Sequence, residues 1–350
     1  MKRLALTAGS FVVSLLLVEL LLRLAWTNPY RNEIPDHVVD LRIHHPFKAL
    51  PVDRRDARAD APTTVLRSDA RGYLLPSRRF EHPDASILFL GGSTTECAAV
   101  SEDERFPALV SSLLEREGLR VDTLNAGRSG NTTHDAINIL LNWGAEDAPD
   151  VVVLMEAAND IGVLRQDGSY RSRSGRPLTA AVARTWLLQR ASSVSWVAGA
   201  VRNWVTVGNP LRRKGPLPRP SELEAVPTQA YEKRLRAFVA VAKALGTRPV
   251  LMTQPLARRR TALTPEWTTL DDQNRFNDVI RRVAAEEQVV LVDLARHVSE
   301  EIEGWDEPMR LFYDGIHVTD FGSRVYAEYI AARLRESVFG PRGLARRSAR

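Results

Sequence analysis

Four short clusters of polar residues carry side chains whose types and spacing could do chemistry together. Asp314 and His317 stand three apart in Asp314-Gly315-Ile316-His317. On a turn, that spacing lets a carboxylate hold one imidazole nitrogen while the other faces a nucleophile. Histidine is the side chain best tuned to take a proton near neutral pH. A hydroxyl that could give one up is that of Ser93, in Ile87-Leu88-Phe89-Leu90-Gly91-Gly92-Ser93-Thr94-Thr95, where an apolar run breaks at two glycines that permit a sharp turn. By itself this stretch suits an ordinary loop or a capped helix start equally well. A phosphate-binding loop is a third reading, but the Lys of a P-loop is missing. The third cluster is Asn125-Ala126-Gly127-Arg128-Ser129-Gly130-Asn131-Thr132-Thr133, where a glycine allows close approach and a backbone N–H can point into a site. In the fourth, Glu156-Ala157-Ala158-Asn159-Asp160, the Asn159 amide can donate to a developing oxyanion.

These clusters need a frame to bring them together. Apolar runs at residues 86–90, 121–124, 151–155, 249–252 and 289–292 read as strands, and helical patterns fall at 102–117, 134–144, 229–245, 271–287 and 321–337. Short Val/Leu/Ile runs alternating with helices predict a parallel sheet covered on both faces. The expected fold is α/β: a flavodoxin-like, three-layer α/β/α domain with a five-stranded parallel sheet, whose ligand site lies at the carboxyl ends of the strands. The domain spans 85–338. Residues 162–228 are surplus to it, a helical insertion with Trp186, Trp196 and Trp204 among its apolar residues and a basic, proline-rich run at 212–220. It reads either as an excursion packed on the domain edge or as a lid over the site.

Taken in order and each at a strand end, the four clusters resemble the blocks of the SGNH (GDSL) hydrolase family over residues 86–336, the insertion excepted. The resemblance implies an esterase in which Ser93 is the nucleophile and Asp314 and His317 complete the triad. It also implies an oxyanion hole made by the Ser93 and Gly130 N–H groups and the Asn159 amide. The family's Gly-Asp-Ser-Leu reads Gly91-Gly92-Ser93-Thr94 here, as in a bacterial membrane-anchored branch, and Gly-Gly-Asn-Asp reads Ala157-Ala158-Asn159-Asp160. Residues 67–72 resemble the short strand-forming stretch that precedes the nucleophile in that branch. The implied substrate is a small-molecule or glycan acyl ester, O-acetyl or short acyl, and no cofactor or metal is implied. An O-acyltransferase of the same fold would use the same acyl-enzyme, so the sequence does not separate the two. A non-catalytic surface-binding protein is disfavoured by the intact set of Ser93, Asn159, Asp314 and His317.

The N-terminus sets the expected location. Lys2 and Arg3 precede an apolar run that continues, through Glu19 and Arg23, to Trp26. This reads as an uncleaved signal anchor over residues 1–26 that crosses the membrane once and leaves the rest extracytoplasmic. Glu19 is the awkward residue, since a carboxylate in that setting wants a partner. Residues 27–84 read as a polar stalk that ends in short segments docking on the main domain, and 339–350 as a basic tail.

Composition bounds the remainder. With 350 residues, 44% of them hydrophobic and 26% charged, the chain can bury a substantial core. The net charge of +5 comes from scattered arginines and short runs such as 258–260, with no nucleic-acid motif around them, so no nucleic-acid partner is expected. One cysteine, Cys97, excludes an internal disulfide and reads as a small buried residue. His134 reads as a helix-surface residue beside the second block, Asp160 as a brace beneath Asn159, and Asp293 as structural. Arg165 reads as solvating the insertion rather than contacting substrate, and His44-His45 lack the clustered carboxylates of a metal site.

Overall fold

The computed structural model describes residues 2–28, 41–54, 59, 61–170, 187–188, 190–206, 225–257, 269–301 and 308–340. Trp186, the runs at 212–220 and 258–260, residues 29–40 of the expected stalk and the tail beyond 340 lie outside them. Along the chain the elements are α1 (Lys2–Ala25), β1 (Ala49–Asp53), β2 (Thr63–Arg67), β3 (Ala85–Gly91), α2 (Ser93–Glu96), α3 (Phe106–Arg116), β4 (Val121–Asn125) and α4 (Thr133–Ile139). There follow α5 (Ala145–Asp147), β5 (Val151–Met155), α6 (Ala158–Asp167), α7 (Trp196–Thr206), α8 (Gln229–Ala244), β6 (Arg248–Met252) and α9 (Leu270–Glu286). The last are β7 (Val290–Val292), α10 (Leu294–Glu301), α11 (Pro308–Leu311) and α12 (Asp320–Ser337). They fall into two compact units, one of Met1–Asp40 with Arg173–Leu217 and one of Leu41–Ser172 with Pro218–Arg350.

The larger unit is the expected α/β domain. Its five-stranded sheet is parallel with the order β4-β3-β5-β6-β7. The first strand of the sheet therefore lies between the second and third, and the switch in winding direction opens a crevice at the ends of β3 and β5. Strands β3 and β5 read as near-continuous apolar runs because both faces are covered. Ile87, Phe89, Val151 and Val153 belong to one core cluster with Val110 of α3 and Ile330 of α12. Leu88, Leu90, Val152 and Leu154 belong to the other, with Phe238 of α8 and Phe276 of α9. Helix starts are set locally. Thr132 and Asp135 form a capping box on α4, the Thr269 hydroxyl accepts from Asp272 N, and that of Thr319 accepts from Gly322 N.

Residues 41–84 fall in the stretch read as a stalk that ends by docking on the main domain. They belong to the α/β unit, where β1 and β2 pair antiparallel and Leu74 N donates to Asn125 O at 2.9 Å. Ile43, Leu66, Tyr73 and Leu74 of this segment are buried, Ile43 and Tyr73 in the same core cluster as Leu88 and Leu90, but they are spaced without the period of a helix or a long strand.

The smaller unit holds α1 and α7. The awkward Glu19 is satisfied inside it. Its carboxylate accepts from the N–H groups of Trp196 and Val197, at 2.9 and 3.0 Å, and from the Ser195 hydroxyl at 2.9 Å. It thereby meets backbone donors of the first turn of α7, which have no acceptor within the helix itself. Arg23 pairs with Glu19 at 3.2 Å and lies over the Trp196 ring. Asn28 Nδ2 donates to Ser192 O at 2.7 Å. Apolar side chains including Phe11, Leu16, Leu24, Val201 and Trp204 face outward. Among the described residues, no helix is long and apolar enough to cross a membrane. Glu19 and Arg23 interrupt the apolar run of α1, and its side chains are described from Gly9 onward.

Candidate active site

Gly91, the last residue of β3, and Gly92 after it place Ser93 at the first position of α2. A methyl group added at Gly92 would lie 2.2 Å from Asn159 Nδ2 and 2.7 Å from Glu156 Oε2. The nucleophile turn and the third block therefore close on each other at a point where only a glycine fits.

His317 comes from the loop between α11 and α12. That loop is pinned by the Phe312–Val318 bridge and by Tyr313 N donating to His317 O at 3.0 Å. His317 Nε2 lies 2.6 Å from Ser93 Oγ, and Nδ1 lies 2.6 Å from Asp314 Oδ2. A carboxylate only accepts, so Nδ1 carries the ring proton and Nε2 is left to accept from the Ser93 hydroxyl. The other Asp314 oxygen accepts from the N–H groups of Ile316 and His317, at 3.2 and 2.9 Å. Burial alone would raise the Asp314 carboxyl. The His317 ring and the two N–H groups outweigh it and hold the group below its ordinary value, ionised. The Tyr313 ring stacks on the imidazole with centroids 5.6 Å apart.

The second block follows β4. Asn125 Nδ2 donates to Thr95 O at 3.0 Å, and Arg128 N donates to Gly91 O at 3.2 Å. The block is thus tied to the nucleophile turn on both sides. Gly130 has φ +81°, the left-handed region that glycine adopts without strain. Glu96, the last residue of α2, reaches across so that its Oε2 accepts from Ser129 N at 3.0 Å and from the Ser129 hydroxyl.

The third block follows β5. Asn159 Nδ2 donates to Asn131 O at 2.7 Å, which joins the second and third blocks, and lies 3.5 Å from Glu156 Oε2. Glu156 is buried; its Oε1 accepts from Ala157 N and Asn159 N, each at 3.1 Å. Burial, with the neighbouring Asp160 charge, pushes the Glu156 carboxyl well up. Asp160, also raised by burial, accepts from Thr133 N and Oγ1 and from the Tyr170 hydroxyl, and so braces the start of α4. Gln254, after β6, connects the turns: its Oε1 accepts from Ala158 N and its Nε2 donates to Thr94 Oγ1.

The structure thus gathers Ser93, Asp314, His317 and Asn159 at the carboxyl edge of the sheet, with the Gly130 loop beside them. A linked Ser, His and Asp can pass a proton from hydroxyl to imidazole while the carboxylate steadies the imidazolium. Sequence reasoning missed Glu96 and Arg42, and it quoted Glu156 without a role. Glu156 directly precedes the third block, and a Glu at the end of a fully apolar strand is a signal that could have found it. His44, set aside as a metal ligand, is buried 3.0 Å from Glu96 Oε1. Arg165 pairs with the buried Asp272 rather than with solvent. His134 is exposed on α4 beside Asn138, and Asp293 pairs with Arg281. Cys97 is buried, its thiol pushed up to about 12 by desolvation. Among the described residues, no group of three or more His, Cys, Asp or Glu could hold a metal ion.

Among curated proteins none matches this chain. Solved structures do. LAE5, an alpha/beta hydrolase enzyme from the metagenome of Lake Arreo, is 19% identical at a TM-score of 0.47, with 72% of this chain and 95% of that chain covered. Axe2, an acetylxylan esterase from Geobacillus stearothermophilus, is 18% identical at 0.47, covering 72% and 94%. The lipase/acylhydrolase from Enterococcus faecalis is 17% identical at 0.46, covering 72% and 96%. The profile of the GDSL-like lipase/acylhydrolase family matches residues 89–325, so the chain belongs to that family and is a hydrolase of carboxylic esters.

Proposed function

We propose that the protein is a serine esterase that removes acetyl or other short acyl groups through a Ser93–His317–Asp314 triad. The carrying observation is the chain of two 2.6 Å contacts that joins Ser93 Oγ, the His317 ring and Asp314 Oδ2. As Ser93 Oγ bonds to the ester carbonyl carbon, its proton passes to His317 Nε2. The carbonyl oxygen becomes an anion facing the N–H groups of Ser93 and Gly130 and the Asn159 amide. Each such donor contributes about 3 kcal/mol in comparable sites. The alcohol leaves with the proton from Nε2, and water, deprotonated by the same nitrogen, releases the acid.

The active unit works outside the cytoplasm, held at the membrane by the N-terminal segment. Lys2 and Arg3 ahead of the run, and the outward apolar side chains of α1 between Phe11 and Leu24, support this reading. Hydrolysis of p-nitrophenyl acetate by the full chain in detergent tests the chemistry. Ser93→Ala and His317→Ala should both fall to background. A folded wild type no faster than Ser93→Ala would remove the esterase reading. Protease protection in intact cells tests the location: digestion of the α/β unit only after the membrane is broken would place it inside.

A further inference from the structure

Arg42, at the start of the α/β unit, grips the second block at three points. Its Nη2 donates to Ser129 O at 2.9 Å and its Nε donates to Asn131 Oδ1 at 3.1 Å. Its own carbonyl accepts from Asn131 Nδ2 at 2.9 Å. Neighbouring residues of the same strap add to the hold. Arg128 Nη1 donates to Ile43 O at 2.7 Å, and His44 lies against Glu96, which in turn holds the Ser129 N–H.

What lies between the gripped groups is the Ser129–Gly130 peptide. A trans peptide is planar, with C=O and N–H on opposite sides. Fixing the direction of the Ser129 carbonyl therefore fixes the opposite direction of the Gly130 N–H. Among the described residues, no group accepts a hydrogen bond from that N–H. A glycine at φ +81° has little intrinsic preference for one orientation of its flanking peptides, so the hold has to come from outside. A guanidinium on the carbonyl also polarises the peptide and strengthens the N–H as a donor. The guanidinium sits close: a methyl group added at Gly130 would lie 2.9 Å from Arg42 Nη2.

We propose that Arg42 is a positioning residue for the oxyanion hole: by gripping the Ser129 carbonyl and the Asn131 side chain it sets the plane of the Ser129–Gly130 peptide and aims the Gly130 N–H. This rests on the esterase reading above. It makes the segment that leads into the α/β unit part of the catalytic apparatus rather than a spacer. The step it serves is stabilisation of the tetrahedral oxyanion, so the effect belongs in kcat and not in KM.

The test compares full-length wild type, Arg42→Ala, Arg42→Lys and Ser93→Ala for kcat and KM on p-nitrophenyl acetate, for thermal melting, and for affinity to phenylboronic acid. Ser93 Oγ bonds to boron as its proton passes to His317 Nε2, and the boron becomes a tetrahedral anion with an oxygen in the hole. Arg42→Ala should lose kcat by about 10- to 100-fold, with KM within about threefold and boronate affinity weakened by a similar factor to kcat. Arg42→Lys, which keeps the charge but reaches one acceptor, should recover part of both. Should Arg42→Ala fail to fold, Arg42→Lys carries the test, with a matched loss of kcat and boronate affinity supporting the proposal. In Arg42→Ala, or in Arg42→Lys where the Ala variant does not fold, a kcat within about twofold of wild type, or a lower kcat with unchanged boronate affinity, overturns it. A wild type no faster than Ser93→Ala is a different failure, that of the esterase reading itself.

Discussion

His44 Nε2 lies 3.0 Å from Glu96 Oε1, and both side chains are buried between the strap and the nucleophile helix. Desolvation lowers His44 from its ordinary 6.5, with Lys48 and Arg128 adding to the effect and Glu96 opposing it. Burial would raise Glu96, but the His44 contact and the Ser129 hydrogen bond outweigh it and keep it below 4.5. The pair therefore consists of a neutral imidazole and a carboxylate at neutral pH. In the unfolded chain His44 takes a proton more readily than in the folded one, so stability falls as pH drops below about 6.5. The depressed Glu96 adds a second loss below about 4.5. Melting temperature followed from pH 8 to 4 should decline in both windows. His44→Gln should flatten the upper one, and an unchanged upper slope in that variant would assign it elsewhere.

Asn159 offers the cleanest probe of the oxyanion hole. Asn159→Ala should lower kcat on p-nitrophenyl acetate by about 10²–10³-fold, with KM changed little. The amide also ties the second block to the third through Asn131 O, so melting should fall by a few degrees as well. A loss confined to KM would mean that the amide binds ground-state substrate instead.

Asp314→Asn keeps the shape of the loop but can present an N–H to His317 Nδ1 and favour the wrong tautomer. The expected loss in kcat is about 10³–10⁴-fold, larger than for an oxyanion donor. Steady-state kinetics over a range of pH settle it: a loss under tenfold would show that the carboxylate is dispensable.

Gly92→Ala puts a methyl group 2.2 Å from Asn159 Nδ2 and 2.7 Å from Glu156 Oε2. Relief requires moving the third block away from Ser93, so activity should collapse. Stability should fall by about 1–3 kcal/mol, the usual scale of overpacking. Urea unfolding and esterase assay of the same preparation separate the two effects. An active, stable variant would show that the turn has room to spare.

Legibility in the sequence followed range. Ser93, Asn159 and the Asp314–His317 pair were visible because each sits in a short motif beside an element whose period is plain. Strands β3 and β5 were visible as unbroken apolar runs buried on both faces. The Arg42 grip was not visible, because it joins residues 87 and 89 positions apart through polar groups. Such pairings leave no periodic trace, and the weakly patterned residues 27–84 signalled only that their end docks on the domain. Glu96 was hidden for the opposite reason: it ends a one-turn helix too short to show a pattern.

Glu19 precedes its partner Ser195 by 176 residues. At the ordinary pace of a ribosome, roughly ten to thirty-five seconds pass between the appearance of the two. Through that interval the carboxylate has only Arg23, one turn away, to answer it. The helix therefore leaves the tunnel in a provisional state, and its final pairing waits until more than half of the chain has been made. A chain that stops short of residue 195 keeps this carboxylate on its Arg23 neighbour alone and lacks the three donors that complete its shell.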